Sequence, residues 1–164
     1  MTPEVLHAEL AEGKLRPAYL LAGAEALLRD EGLAAIRAAA LGAAASDFDF
    51  ERLDGERSSP AQLLDALRAL PVLAARRLVV LREPEARKGK SEALLLALAN
   101  ALPELAGQSQ TLLVVLAARV DRRSSWVRAF EAPAALVACD PPKDGKPVAA
   151  FAVGEARRQG IALG

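Results

Sequence analysis

Aromatic side chains are scarce in this chain, with one Trp, one Tyr and four Phe making up 4% of 164 residues. The hydrophobic fraction is nevertheless 52%, so most of the apolar content is Ala and Leu, which favours helices packed closely on something. With one Cys and one His, an internal disulfide framework, a Cys-cluster zinc site and any mechanism needing two imidazoles are excluded. A surplus of either charge is also missing. Lys plus Arg and Asp plus Glu both total 21, so no chain-wide field draws in nucleic acid or an anionic membrane. No 18-residue apolar run occurs, and Met1-Thr2-Pro3-Glu4 has neither a basic stretch nor an apolar targeting core. A soluble, cytoplasmic protein without a membrane partner is expected. Its length suits one ordinary domain, or one domain and the beginning of the next.

The patterning alternates between two periods. Thr2-Pro3 supplies an N-cap and a proline at the first helical position, so residues 3–12 read as a helix before Gly13. Ala18 to Ala22 is a short apolar run stopped by Gly23, as in a doubly buried strand. Residues 24–41 are helical in spacing, with Leu28, Gly32, Ala35, Ile36 and Ala39 on one face and Glu25 and Arg29 paired outside it. Phe48-Asp49-Phe50 alternates in strand fashion through Leu53 to Asp54-Gly55. Ser59-Pro60-Ala61-Gln62 is a capping box opening a helix with Leu63, Leu64, Leu67 and Leu70 inward, until Pro71. Leu78 to Leu81, Thr111 to Leu116 and Ala134 to Cys139 are further apolar strands. Between them lie a helix over 91–102, capped by Ser91, and a short one carrying Trp126 and Phe130.

Strands that are apolar throughout, alternating with helices, predict an α/β fold: a three-layer parallel sheet of about five strands with helices on both faces. This domain is expected over residues 1–140, with a Pro-rich linker over 141–147. Val148 to Gln159 reads as a helix with no following partner, so 148–164 is expected to begin a second domain.

Two loops invite comparison with a phosphate-binding P-loop. In Gly23-Ala24-Glu25-Ala26-Leu27-Leu28-Arg29-Asp30, Leu28 stands where a second glycine must let backbone amides close on phosphate. Arg29 keeps a charge without the compact ammonium, and Asp30 puts a carboxylate where a hydroxyl must meet magnesium. The second candidate, Pro84-Glu85-Ala86-Arg87-Lys88-Gly89-Lys90-Ser91, ends in the right Gly-Lys-Ser but opens on a proline that has no N–H. Its ordinary reading is a basic solvated loop before a capping serine. The strand from Leu112 to Leu116 also runs into Ala117-Ala118 with no Asp to hold magnesium. No catalytic residue, cofactor or metal site is therefore assigned. His7 reads as a solvated helix residue, and Cys139 as a small hydrophobe at a strand end.

The stretch from Leu67 to Arg77 carries the most information. Pro71 should end the helix, which leaves Val72 and Leu73 in a connection before the strand at Leu78. Two adjacent large apolar residues there either tuck back onto the core, the ordinary outcome, or form a small binding knob. Arg119, Arg122, Arg123 and Arg128 cluster further on, and Arg87, Lys88 and Lys90 form another basic group. Interspersed Asp121, Glu83 and Glu85 give both groups the character of solvated faces.

The order of these segments resembles the delta subunit of bacterial DNA polymerase III, a clamp-loader protein. The marks are Pro17 to Glu25 followed by Leu27-Leu28, Leu53-Asp54-Gly55, Leu70-Pro71-Val72-Leu73-Ala74-Ala75-Arg76-Arg77-Leu78-Val79-Val80, and Leu116 followed by Val120-Asp121-Arg122-Arg123. The resemblance implies a degenerate AAA+-like first domain with a decayed nucleotide loop (Gly23, Leu28, Arg29, Asp30) and the start of a small helical lid. It also implies a role in DNA replication without catalysis by this chain, as part of a DNA-directed DNA polymerase holoenzyme. The expected partners are the sliding clamp (the beta subunit), the gamma/tau and delta-prime loader subunits, and DNA within the assembly. Leu70, Val72 and Leu73 are the implied clamp contacts, although the family commonly has Leu-Phe where this chain has Val72-Leu73. Arg119, Arg122 and Arg123 are implied candidates for touching DNA. The reading from another class is a small P-loop NTPase using Gly89-Lys90-Ser91, and a third is an α/β binding module of unrelated pathway.

Overall fold

A computed structural model describes residues 1–42, 47–87 and 89–141. Lys88, the linker beyond Pro141 and the lid helix expected from residue 148 lie outside the described residues. The elements run α1 (Pro3–Ala11), β1 (Ala18–Ala22), α2 (Ala26–Leu41), a 3-10 turn (Asp47–Asp49), β2 (Phe50–Asp54), α3 (Pro60–Arg68), β3 (Arg77–Arg82), α4 (Glu92–Ala106), β4 (Thr111–Ala117), α5 (Ser125–Arg128) and β5 (Ala135–Ala138). All five strands pair in parallel in the order β2-β3-β4-β1-β5. The chain thus leaves β1 for the far edge, walks back through β3 and β4, and ends beside β1 on the other side.

Strand side chains alternate between two faces, and both faces are covered. Leu20, Val79, Leu81, Leu113 and Val115 pack with Leu63 and Leu67 of α3, Leu98 of α4 and Trp126 of α5. Tyr19, Leu21, Leu78, Val80 and Val114 pack with Leu6 of α1 and Ile36 of α2. This is why β1, β3 and β4 read as unbroken apolar runs. The expected three-layer α/β fold is the observed one.

Several local expectations change. Phe48 and Asp49 lie in the 3-10 turn and not in a strand, because the carboxylate of Asp49 is drawn off to bind backbone amides elsewhere. α3 does open with the full Ser59–Gln62 capping box, but it ends at Arg68 with Ala69 extended, so Leu70 falls off the inward face. α4 continues through Pro103 to Ala106, since Leu105 extends the buried row of Leu94, Leu98, Ala101 and Leu102. On α2 the buried row ends with Ala40, while Ala39 is exposed. His7 is buried and not solvated, because α1 packs along α2 with that side inward.

Candidate functional site

In an open parallel sheet, ligands bind beyond the carboxyl ends of the strands, where the strand order reverses. Here that place is the loop after β1, and the chain has closed it. The amide of Gly23 donates to the Ala117 carbonyl at 3.0 Å and that of Glu25 to the Cys139 carbonyl at 3.0 Å. The amide of Cys139 in turn donates to the Ala22 carbonyl at 2.7 Å. Two amides that a phosphate cradle would present are therefore spent on stitching the loop to the ends of β4 and β5. A Cβ at Gly23 would sit 2.2 Å from the Cys139 carbonyl oxygen, so this glycine serves close packing of backbone on backbone. The Arg29 guanidinium folds back to donate to the Gly23 carbonyl, and Leu28 is buried in the core on the α1–α2 side of the sheet. Asp30 lines the mouth of an open groove of about 510 Å³ beside the loop, together with Arg37, Phe50, Arg52 and Arg82.

The second glycine loop is equally self-contained. The Lys90 amide donates to the Arg87 carbonyl at 2.9 Å, and the Ser91 hydroxyl donates to the same carbonyl at 2.7 Å. The serine that would hold magnesium is thus turned into its own turn. Among the described residues, no group of three His, Cys, Asp or Glu side chains converges to hold a metal ion.

The amino ends of the strands present something different. Leu70, Val72 and Leu73 are 72%, 67% and 67% exposed, so the connection between α3 and β3 does not tuck back onto the core. Its backbone is nevertheless fixed. Asp49 is fully buried, and its carboxylate accepts the amides of Val72 at 2.5 Å, Leu73 at 2.8 Å and Ala74 at 2.5 Å. Those amides, the one from Val72 foremost, hold the Asp49 carboxyl below the usual carboxylate range against the opposing effect of burial. Arg77 braces the same corner. Its Nε donates to the Ala66 carbonyl at 3.0 Å, Nη1 to the Phe48 carbonyl at 3.4 Å and Nη2 to Glu51 at 2.8 Å. The result is a rigid backbone that turns apolar side chains into solvent.

Asp49 is the residue of this corner that the sequence did not single out. The available sign was an aspartate between two phenylalanines at a strand entrance, where an acidic side chain needs donors if it is to be buried. Arg119, Arg122 and Arg123 come together on the loop after β4, at the opposite end of the sheet. Arg123 is held by Asp121 at 3.2 Å, and Arg122 approaches Asp140 at 3.9 Å. Cys139 is buried, and desolvation pushes its thiol up to about 11. Trp126 and Phe130 are core residues in an edge-to-face pair with centroids 6.4 Å apart. No helix of the described residues is long and apolar enough to cross a membrane.

A five-stranded, all-parallel sheet in this order with helices on both faces, and a loop after its first strand whose amides are spent within the chain, defines the class as an open α/β domain. Comparison with known proteins gives the family. The model for the DNA polymerase III delta subunit matches residues 19–140, and the chain belongs to that family. Among solved structures, the Bacillus subtilis DNA clamp loader delta protein is similar at a TM-score of 0.79 and 23% identity, over 99% of this chain and 49% of that one. A DNA polymerase III gamma subunit-related protein of Thermotoga maritima is similar at 0.60 and 14% identity, over 88% of this chain and 47% of that one. The chain thus spans about half the length of these structures. No curated protein matches it in sequence.

Proposed function

We propose that this chain is the clamp-contacting part of a clamp-loader subunit, which binds the ring-shaped sliding clamp (the beta subunit) through Leu70, Val72 and Leu73 and helps open the ring for loading onto DNA. The observation that carries the reading is the exposure of these three apolar side chains on a connection whose backbone Asp49 holds rigid. A pre-shaped knob loses little conformational entropy on docking. Burying Val72 and Leu73 in a pocket contributes on the order of 1.5–3 kcal/mol each before association costs. Opening the ring then requires only that the chain fit the opened, curved clamp better than the closed one, so differential binding does the work. The chain itself performs no catalysis. Nucleotide acts through the gamma/tau and delta-prime subunits, and Arg119, Arg122 and Arg123 meet DNA only within the assembly.

The test is to mix the chain with a purified bacterial sliding clamp and resolve the complex by size exclusion, with Leu73→Asp as control. A complex that the substitution abolishes, at unchanged circular dichroism, is the expected result. Absence of any complex, or one indifferent to Leu73, refutes the proposal.

A further inference from the structure

We propose that Phe48 is a fourth contact of the same surface and supplies the aromatic anchor that Val72-Leu73 lacks; this rests on the clamp-binding reading above. Phe48 is 71% exposed, whereas Tyr19, Trp126 and Phe130 are buried at 0%, 4% and 5%. An exposed ring is therefore not how this chain ordinarily uses its few aromatics. Among the described residues seven large hydrophobics stand exposed, and four of them, Phe48, Leu70, Val72 and Leu73, belong to this one corner. Clustering of that kind marks an interaction surface, whereas scattered single residues do not.

The two segments are joined by hydrogen bonds. Phe48 immediately precedes Asp49, whose carboxylate grips the amides of Val72, Leu73 and Ala74. The Phe48 carbonyl accepts from Arg77, which also ties Ala66 and Glu51. The backbone of Phe48 is thus pinned to the backbone of the knob, and its side chain is exposed beside it. The 3-10 turn over Asp47–Asp49 gives the physical reason. It breaks the alternation that would otherwise have carried the ring against the sheet. Binding hot spots are rich in aromatic side chains held on rigid backbone and poor in Val and Leu, so the ring is what this corner contributes beyond its aliphatic residues. The occupant is the sliding clamp, since the ring continues the surface already assigned to it.

The experiment measures affinity for a purified sliding clamp with the wild-type chain, Phe48→Ala, Phe48→Leu and Leu73→Asp, with the melting temperature of each. Phe48→Ala is expected to weaken binding about tenfold or more, Phe48→Leu less, both at a nearly unchanged melting temperature, while Leu73→Asp abolishes binding. If Phe48→Ala binds like wild type and Leu73→Asp does not, Phe48 is no contact and the clamp-binding reading stands alone. If neither substitution matters, both ideas fail. Should Phe48→Ala unfold, the ring resonances of Phe48 in the wild-type chain decide, since they must shift when clamp is added. Loss of self-association with clamp affinity unchanged would assign the ring to a second copy of the chain and overturn the proposal.

Discussion

Replacing Gly23 with alanine tests whether the loop after β1 is a closed structural joint. In the native structure Gly23 has φ +149°, and an added Cβ would lie 2.2 Å from the oxygen and 2.3 Å from the carbon of the Cys139 carbonyl. The backbone strain costs about 1–3 kcal/mol. The overlap is with main chain and cannot be relieved by a rotamer change, so it adds about 1–3 kcal/mol more, as overpacking does. A total of about 2–6 kcal/mol follows, and at roughly 2–4 °C per kcal/mol for a domain of this size the melting temperature should fall by about 4–24 °C. Gly89→Ala separates the two causes. That residue also has positive φ, +74°, but nothing lies within 4 Å of its Cβ position, so only about 1–2 kcal/mol of strain is expected. Thermal and urea unfolding followed by circular dichroism give both numbers. If Gly23→Ala unfolds within about 0.5 kcal/mol of wild type, or no worse than Gly89→Ala, the loop after β1 is open and not a closed joint.

Three further outcomes are expected. The Asp49 carboxyl titrates below its ordinary 3.8 in the folded chain, so its stabilising effect is complete above that value and is lost as pH falls through the lower folded one. Wild type should therefore lose more stability than Asp49→Asn in urea titrations carried below about pH 4, and equal losses would contradict the three-amide clip. Cys139, with its thiol raised to about 11 by burial, should resist iodoacetamide at about pH 8 in the native chain and react promptly in urea; rapid native labelling would place it at the surface. A fluorescent ATP analogue with magnesium should show no saturable binding, and Lys90→Ala should change nothing. Saturable binding lost in that variant would restore the NTPase reading of Gly89-Lys90-Ser91.

The fold is legible because β1, Leu78 to Leu81 of β3 and Leu112 to Ala117 of β4 are apolar throughout and buried on both faces, and because Ser59, Pro60 and Gln62 announce a helix start through local hydrogen bonds alone. Local chemistry also shows where both glycine loops depart from a phosphate-binding pattern, at Leu28, Asp30 and Pro84. The corner that carries the proposed contact was only half legible. The sequence placed Val72 and Leu73 in a connection, but whether they turned inward depended on Asp49, more than twenty positions away in the chain. A pairing between a side chain and distant amides leaves no periodic trace. The same pairing pulled Phe48 out of the strand that its alternation with Phe50 suggested. The burial of His7 is illegible in the sequence for a related reason, since it comes from the way α1 lies along α2 and not from anything in residues 3–11.

Because all five strands run the same way, the sheet has two chemically distinct poles. Leu70 to Ala74 precede β3 and so occupy one of them, while Gly23 and Arg119 follow β1 and β4 at the other. A strand of five to seven residues, the lengths of β1 and β4, separates such poles by about 17–23 Å. Contact at one pole leaves the other uncovered, so two neighbours can hold this chain simultaneously, and a pull exerted at either end is carried lengthwise along a hydrogen-bonded sheet between them.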